Sequence, residues 1–210
     1  MVMEKRRYSA EVATSVRNYL ENDKWNFSFD EAKGVFRFDL KVGGRINKIT
    51  YTILIGNNNF IVYTTLPIAV NVNDTEMLNR MMEFEIKVNH NDLNNGHFEL
   101  DMEDGEIGYK IFVDCTDGNI PSEEIIKKSI YCPATVFERY TEGILGIIFY
   151  DSTADEAIEK SIKSIADKIK EILKNIEEDE IEDEMLEGED SNEDDELVNM
   201  NLFSTEEGEN

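Results

Sequence analysis

The sequence contains few of the residues that build reactive or covalently fixed sites. Its 210 residues include two cysteines, two histidines, three prolines and one tryptophan. Cys115 and Cys132 have neither the spacing of a metal site nor that of a redox motif, and no base accompanies them in a recognisable pattern. His90 and His97 stand beside asparagine-rich turns, and solvent-facing side chains explain them better than a metal site. We therefore predict no catalytic residue, no metal site, no cofactor and no enzyme activity.

Other signatures of function are also absent from the sequence. It contains no phosphate-binding glycine loop, no dinucleotide-binding fingerprint and no Ser-His-Asp signature. The longest apolar run, residues 144–150, is far shorter than the roughly 20 residues that a membrane-spanning helix needs. No apolar segment of the signal-peptide type stands near the N-terminus. We therefore expect no membrane association and a cytoplasmic location in which both thiols stay reduced.

Positive charge is scarce, and its distribution along the chain is uneven. The net charge is −25, and residues 177–210 contain 17 acidic residues and no lysine or arginine, which leaves −8 for residues 1–176. Phosphate backbones are repelled by such a chain, so we predict no nucleic-acid ligand. The acidic segment is too charged to bury a core, which predicts a disordered tail over residues 177–210.

The first half of the chain changes from helical to alternating periodicity. Residues 8–20 carry apolar side chains at spacings of three and four, which predicts an amphipathic helix. Alternating segments then predict an antiparallel meander, with a tight turn at Gly43-Gly44 and a last strand that stops at Pro67. The predicted strands are residues 25–29, 36–42, 46–55 and 60–65.

The second half of the chain predicts helices around one further hairpin. A helix over residues 78–84 is capped by Asn73 or Asp74, and the hairpin turns at Asp104-Gly105. A long helix starts at Ser122 and is kinked or split by Pro133. A capping box in residues 151–156 opens the last helix. These elements predict an α+β fold: a bent antiparallel sheet of about five to six strands with helices packed on it, a C-terminal helix and a disordered acidic tail.

The order of these elements, together with particular residues, matches a known pattern. The matching segments are Leu78-Asn79-Arg80, Gly96-His97-Phe98-Glu99-Leu100-Asp101, Asp104-Gly105-Glu106-Ile107-Gly108-Tyr109, Tyr140, Ile144, Leu145 and Glu156-Ala157. Over residues 8–157 the sequence resembles the bacterial YbjN family, which is described as sensory transduction regulators. The resemblance implies a fold similar to type III secretion chaperones and a homodimer, and it transfers no functional residue. It divides the chain into a YbjN-like domain (1–152), an amphipathic helix (153–176) and the acidic tail (177–210).

The last helix carries an isoleucine stripe at alternating steps of four and three residues. Its members are Ile158, Ile162, Ile165, Ile169, Ile172 and Ile176. The stripe can pack on the sheet of its own domain, as most amphipathic helices do. It can instead join a partner helix, since isoleucine at both core positions of a heptad is compatible with more than two strands.

An apolar island interrupts the acidic tail at residues 197–203. It contains Leu197, Val198, Met200, Leu202 and Phe203. Such an island can be a short docking motif that folds onto a partner, or a remnant without function in a disordered segment.

These observations predict a non-enzymatic protein-binding module, chaperone-like or regulatory, that offers a sheet face or groove to a polypeptide client. The identity of the partner does not follow from the sequence. One alternative is a structural or assembly subunit that uses the helix of residues 158–176 and the motif of residues 197–203. The other is an enzyme whose site is assembled from unrelated positions.

Overall fold

The computed structural model describes residues 7–43 and 45–189, without the side chains of residues 171 and 175–189. These residues form four α-helices and one open sheet of six antiparallel strands, which confirms the predicted α+β class. The chain divides into two compact units, Met1–Ser164 and Ile165–Asn210. The disordered tail is predicted to begin at residue 177, but α4 continues to Glu189. The apolar island at residues 197–203 lies outside the described residues, and the disorder of residues 190–210 stays a prediction.

The helices and strands follow one another along the chain in the predicted order. The helices are α1 (Ala10–Asn22), α2 (Thr75–Asn91), α3 (Glu123–Tyr150) and α4 (Ala154–Glu189). The strands are β1 (Phe27–Asp30), β2 (Val35–Lys41), β3 (Lys48–Ile55), β4 (Asn59–Ala69), β5 (His97–Leu100) and β6 (Glu106–Asp114). Their spatial order is β1-β2-β3-β4-β6-β5, so the late hairpin joins the meander through β6.

One face of the sheet is covered by helices and forms the core. Phe36, Ile53, Val62 and Ile111 pair in register across β2, β3, β4 and β6, and all four are buried. α3 contacts β4, β6, α1 and α2, while α2 also packs on β5. Because side chains alternate along a strand, the residues directly before and after each of these four point to the opposite face of the sheet.

The N-terminal caps of α2 and α4 are those that the sequence predicts. Asp74 Oδ1 accepts a hydrogen bond from Met77 N at 3.0 Å, so Asp74 rather than Asn73 caps α2. At the start of α4, Thr153 N donates to Glu156 Oε2 at 2.9 Å and Glu156 N donates to Thr153 Oγ1 at 3.3 Å. This reciprocal pair is the predicted capping box.

The predicted tight turn at Gly43-Gly44 is wrong. The strands β2 and β3 pair up to Lys41 and Lys48, and beyond them Val42 N donates to the Asn47 carbonyl oxygen at 3.1 Å, so this register does not allow a two-residue turn at Gly43-Gly44. Ile46, between these strands, is buried, with 4% of its surface exposed. β3 begins at Lys48 instead of Ile46.

The predicted end of β4 at Pro67 is also wrong. β4 continues to Ala69, and its pairing with β6 shifts between Thr65 and Ala69. Pro67 lies inside this irregularity, where the missing backbone N–H removes no regular ladder hydrogen bond. A proline is therefore compatible with a strand whose residues before and after the proline are both paired with β6.

α3 continues through Pro133 as one helix of 28 residues, so the alternative in which Pro133 splits it is wrong. Proline removes a backbone hydrogen bond to the preceding turn. In that turn the buried hydroxyl of Tyr51 donates to the Ile130 carbonyl oxygen at 2.7 Å. The core side of the helix thus receives a hydrogen bond from β3 next to the proline.

Candidate interaction surfaces

Small residues attach the start of α4 to α3. Ala154, Ala157 and Ser161 are all buried. A Cβ atom at Gly143 of α3 would collide with the Ala157 carbonyl oxygen and the Ser161 hydroxyl, so the two helices approach each other closely there. Ile158 packs on the edge of the core. We did not predict this contact, although the small residues at i, i+3 and i+7 are visible in the sequence.

Ion pairs link α2 to the first turn of α4, through Asp155, and to the connection that precedes it, through Asp151. Arg80 Nη2 lies 3.0 Å from Asp151 Oδ1, and Lys87 Nζ lies 2.6 Å from Asp155 Oδ1. The hydrogen bond that the Lys87 ammonium donates to Asp155 raises the pKa of Lys87 above its ordinary value. Exposed ion pairs contribute little stability, roughly 0 to 1 kcal/mol each. The small-residue contact therefore holds the start of α4 more than these charges do.

Further along α4, large apolar side chains face the solvent. Ile162 is 51% exposed, Ile169 52%, Ile172 57% and Leu173 54%. Ile165 is half-buried. We call these five residues the α4 stripe. Exposed apolar residues that follow one another along a helix, in contrast to scattered ones, indicate a surface that binds another molecule.

A second apolar surface lies on the face of the sheet opposite the core. Val35 pairs with Leu54, Leu54 with Ile61, and Ile61 with Phe112, so the four side chains form one row across β2, β3, β4 and β6. Leu54 is 40% exposed and Phe112 60%, whereas Val35 is buried. We call these four residues the outer-face row. The sequence does not show which strands are neighbours or how their residues pair, so this row could not be predicted.

Polar residues border the outer-face row on β5 and β6. Glu99 Oε1 lies 2.9 Å from Lys110 Nζ and 2.8 Å from His97 Nε2. Burial opposes the ionisation of Glu99, but the hydrogen bonds from Lys110 and His97 outweigh it and lower the pKa of the carboxyl. The Lys110 ammonium also lies 6.0 Å from the centre of the Tyr63 ring. These groups satisfy one another, so they suit the rim of an interface better than a reaction centre.

The residues weighed as reactive in the sequence are not brought together. Cys115 is buried and Cys132 is half-buried, and burial raises the pKa of both thiols. His90 is exposed at the end of α2, and His97 is exposed on β5. Within residues 7–43 and 45–189, no three histidine, cysteine or carboxylate side chains are placed to hold a metal ion.

Glu85 is a buried carboxyl group that sequence reasoning missed. It is 6% exposed, and its Oε1 atom has no hydrogen-bond partner in the described structure. Burial, and secondly the charge of Glu99, raise its pKa to about 8. The side chain is therefore mainly protonated at neutral pH. Its place beside Met81, Phe84 and Val88 on the buried face of α2 is the signal that could have found it.

Surface concavities do not gather these groups. Four of them, with volumes of about 240 to 590 Å³, are lined by described residues that include no histidine and no cysteine. None of the helices in the described part of the chain combines the length and apolarity needed to cross a membrane.

No protein-family model matches this chain, and no curated protein or solved structure matches it significantly. The resemblance to the YbjN family therefore stays a prediction.

Proposed function

We propose that this protein is a non-enzymatic protein-binding module, chaperone-like or regulatory, whose main contact surface is the α4 stripe. The observation that carries the proposal is the exposure of four large apolar side chains on a helix whose first turns are held in place. Complete burial of such a side chain contributes about 1.5 to 3 kcal/mol. Burying the exposed half of four of them contributes about 4 kcal/mol, before the costs of association are subtracted.

Even as a net free energy of binding, about 4 kcal/mol corresponds only to millimolar affinity. A useful partner therefore needs further contacts, and the outer-face row offers them on the same chain. The two separate apolar surfaces also favour the second candidate, an assembly subunit that joins other proteins through both. A cytoplasmic location agrees with the free thiols of Cys115 and Cys132.

The experiment that tests the proposal is quantitative affinity capture with mass spectrometry, using the full chain as bait. The test variant Ile162→Ser/Ile169→Ser removes the centre of the α4 stripe. The matched control Lys163→Ser/Lys170→Ser introduces the same two residues on another side of the helix. We expect the control to keep the partners of the natural chain and the test variant to lose them. Retention of all partners by the test variant, with unchanged thermal unfolding, contradicts the proposal.

A further inference from the structure

A groove opens where the sheet splits between β3 and β4. β3 begins at Lys48, but its pairing with β4 begins only at Thr50, which lies opposite Thr65. In this register the next pair would be Lys48 and Pro67. Proline has no backbone N–H and cannot continue the ladder, so the two strands separate there.

The split leaves the Lys48 carbonyl oxygen without a ladder partner. Val42 N donates to the Asn47 carbonyl oxygen at 3.1 Å, so Asn47 directs its backbone groups toward β2. Because these groups alternate along a strand, the N–H and C=O of Lys48 point to the side of β4. The residue opposite is Pro67, which offers no N–H. The Lys48 carbonyl is therefore a hydrogen-bond acceptor at the edge of the groove.

The groove combines apolar walls with positive charge. It has a volume of about 430 Å³ and lies within the unit of residues 1–164. None of the described residues that line it is acidic. A ligand that fits the groove needs an apolar group and a negative charge. The lining residues are Arg45, Ile46, Asn47, Lys48, Pro67, Ile68, Leu145 and Phe149.

Both cations of the groove retain unused hydrogen-bond donors. The Arg45 guanidinium lies 3.5 Å from a Glu142 carboxylate oxygen and donates to the Tyr150 hydroxyl at 3.1 Å. Lys48 Nζ donates to Asp39 at 3.0 Å. A guanidinium has five N–H groups and an ammonium has three, so donors remain for a further anion. Neither of the two carboxylates lines the groove.

We propose that this groove binds the C-terminal residue of a partner polypeptide. The apolar side chain of that residue packs between Pro67 and Phe149, its N–H donates to the Lys48 carbonyl oxygen, and its free carboxylate accepts from Arg45 and the Lys48 ammonium. In a C-terminal residue the N–H, the side chain and the carboxylate are all attached to one carbon atom, which suits an acceptor, apolar walls and cations that line one groove. The site is separate from the α4 stripe, so the inference goes beyond the proposed function.

The test measures the binding of short peptides to the full chain by fluorescence anisotropy. Three fluorescein-labelled peptides carry a flexible Gly-Ser linker and end in valine, leucine or phenylalanine with a free carboxylate. Each is compared with its C-terminal amide and with a peptide whose last amide nitrogen is methylated. We expect a free acid to bind with a dissociation constant below about 1 mM, and both modifications to raise that constant at least about tenfold. No binding by any free acid, or equal binding of acid and amide, overturns the inference.

Charge variants locate the carboxylate. Arg45→Gln/Lys48→Gln removes both cations of the groove. The matched control Lys33→Gln/Lys128→Gln removes two exposed lysines that also pair with carboxylates. We expect the difference between acid and amide to disappear in the test variant and to persist in the control. A difference that survives in the test variant overturns the inference.

Apolar variants locate the side chain. Phe149→Ser removes a wall of the groove, and Phe112→Ser, outside the groove, is its control. These side chains are 62% and 60% exposed, so circular dichroism should show unchanged folding. We expect only Phe149→Ser to weaken binding of the free acid, and equal weakening by both overturns the inference. The Ile162→Ser/Ile169→Ser chain should bind the peptide like the natural chain, so failure of this inference and failure of the proposed function are distinguishable.

Discussion

Replacing Glu85 by glutamine should change how stability depends on pH. The pKa of Glu85 is about 8 in the folded chain, against an ordinary value of 4.5. Between these values the unfolded chain has lost the proton that the folded chain keeps, so stability is highest below pH 4.5 and falls as pH rises to 8. Each pH unit in this window costs about 1.4 kcal/mol, which sums to about 5 kcal/mol. At pH 7 the loss is about 3 kcal/mol.

Urea unfolding of the natural chain and Glu85→Gln at pH 5, 6, 7 and 8 measures this effect. The two chains should be similar in stability at pH 5, and the variant should be the more stable one by several kcal/mol at pH 8. Carboxylates whose pKa is lowered, such as Asp39 and Glu99, make stability increase with pH. Their effect on the slope is confined to pH values below their ordinary pKa. Glu83→Gln, on the exposed side of the same helix, is the matched control. Parallel stability curves for the natural chain and Glu85→Gln would refute the buried ionisation.

Two further predictions concern the edge strand β5 and its turn. Asn89→Ala should cost about 1 to 3 kcal/mol of stability in urea unfolding, because the amide of Asn89 bonds both the N–H and the carbonyl of one β5 residue. Asn91→Ala, at an exposed position, should stay within about 0.5 kcal/mol of the natural chain, and equal effects would contradict the edge contact. Gly105→Ala should destabilise more than Gly118→Ala: both glycines have positive φ, but only at Gly105 would a Cβ collide with the Val70 carbonyl. Thermal unfolding measures the loss of stability in each variant. Equal losses would show that the positive φ alone, and not the contact with Val70, causes the destabilisation.

The sheet could be predicted because period-two alternation is a local property of each strand. Tyr51 and Ile53 on β3 and Ile107 and Tyr109 on β6 alternate inward as the sequence indicates. The errors occur where tertiary packing decides the outcome. Ile46 is buried although it precedes β3, and Pro67 lies within a shift of register that no local pattern indicates.

The candidate surfaces could be predicted only in part. The isoleucine pattern locates the α4 stripe, but periodicity alone does not say whether a stripe is buried by its own domain. The outer-face row depends on which strands are neighbours, and β6 lies between β4 and β5 although it follows β5 in the chain. Glu85 is missed for a different reason: a charged residue next to Phe84 looks like the border of an apolar face until its neighbours are placed.

The exposure of Ile162 follows from the face through which the first turns of α4 pack on α3. At about 100° per residue, the face made by Ala154, Ala157 and Ser161 lies roughly 60 to 70° from the centre of the isoleucine stripe. Ile158, about 70° from that small-residue face, still touches the core, while Ile162, about 40° further round the helix, is turned outward. Small residues allow the close approach to Gly143, so the attachment needs none of the later isoleucines. Because small residues make the contact between α4 and α3, the larger apolar side chains of α4 remain available to bind another molecule.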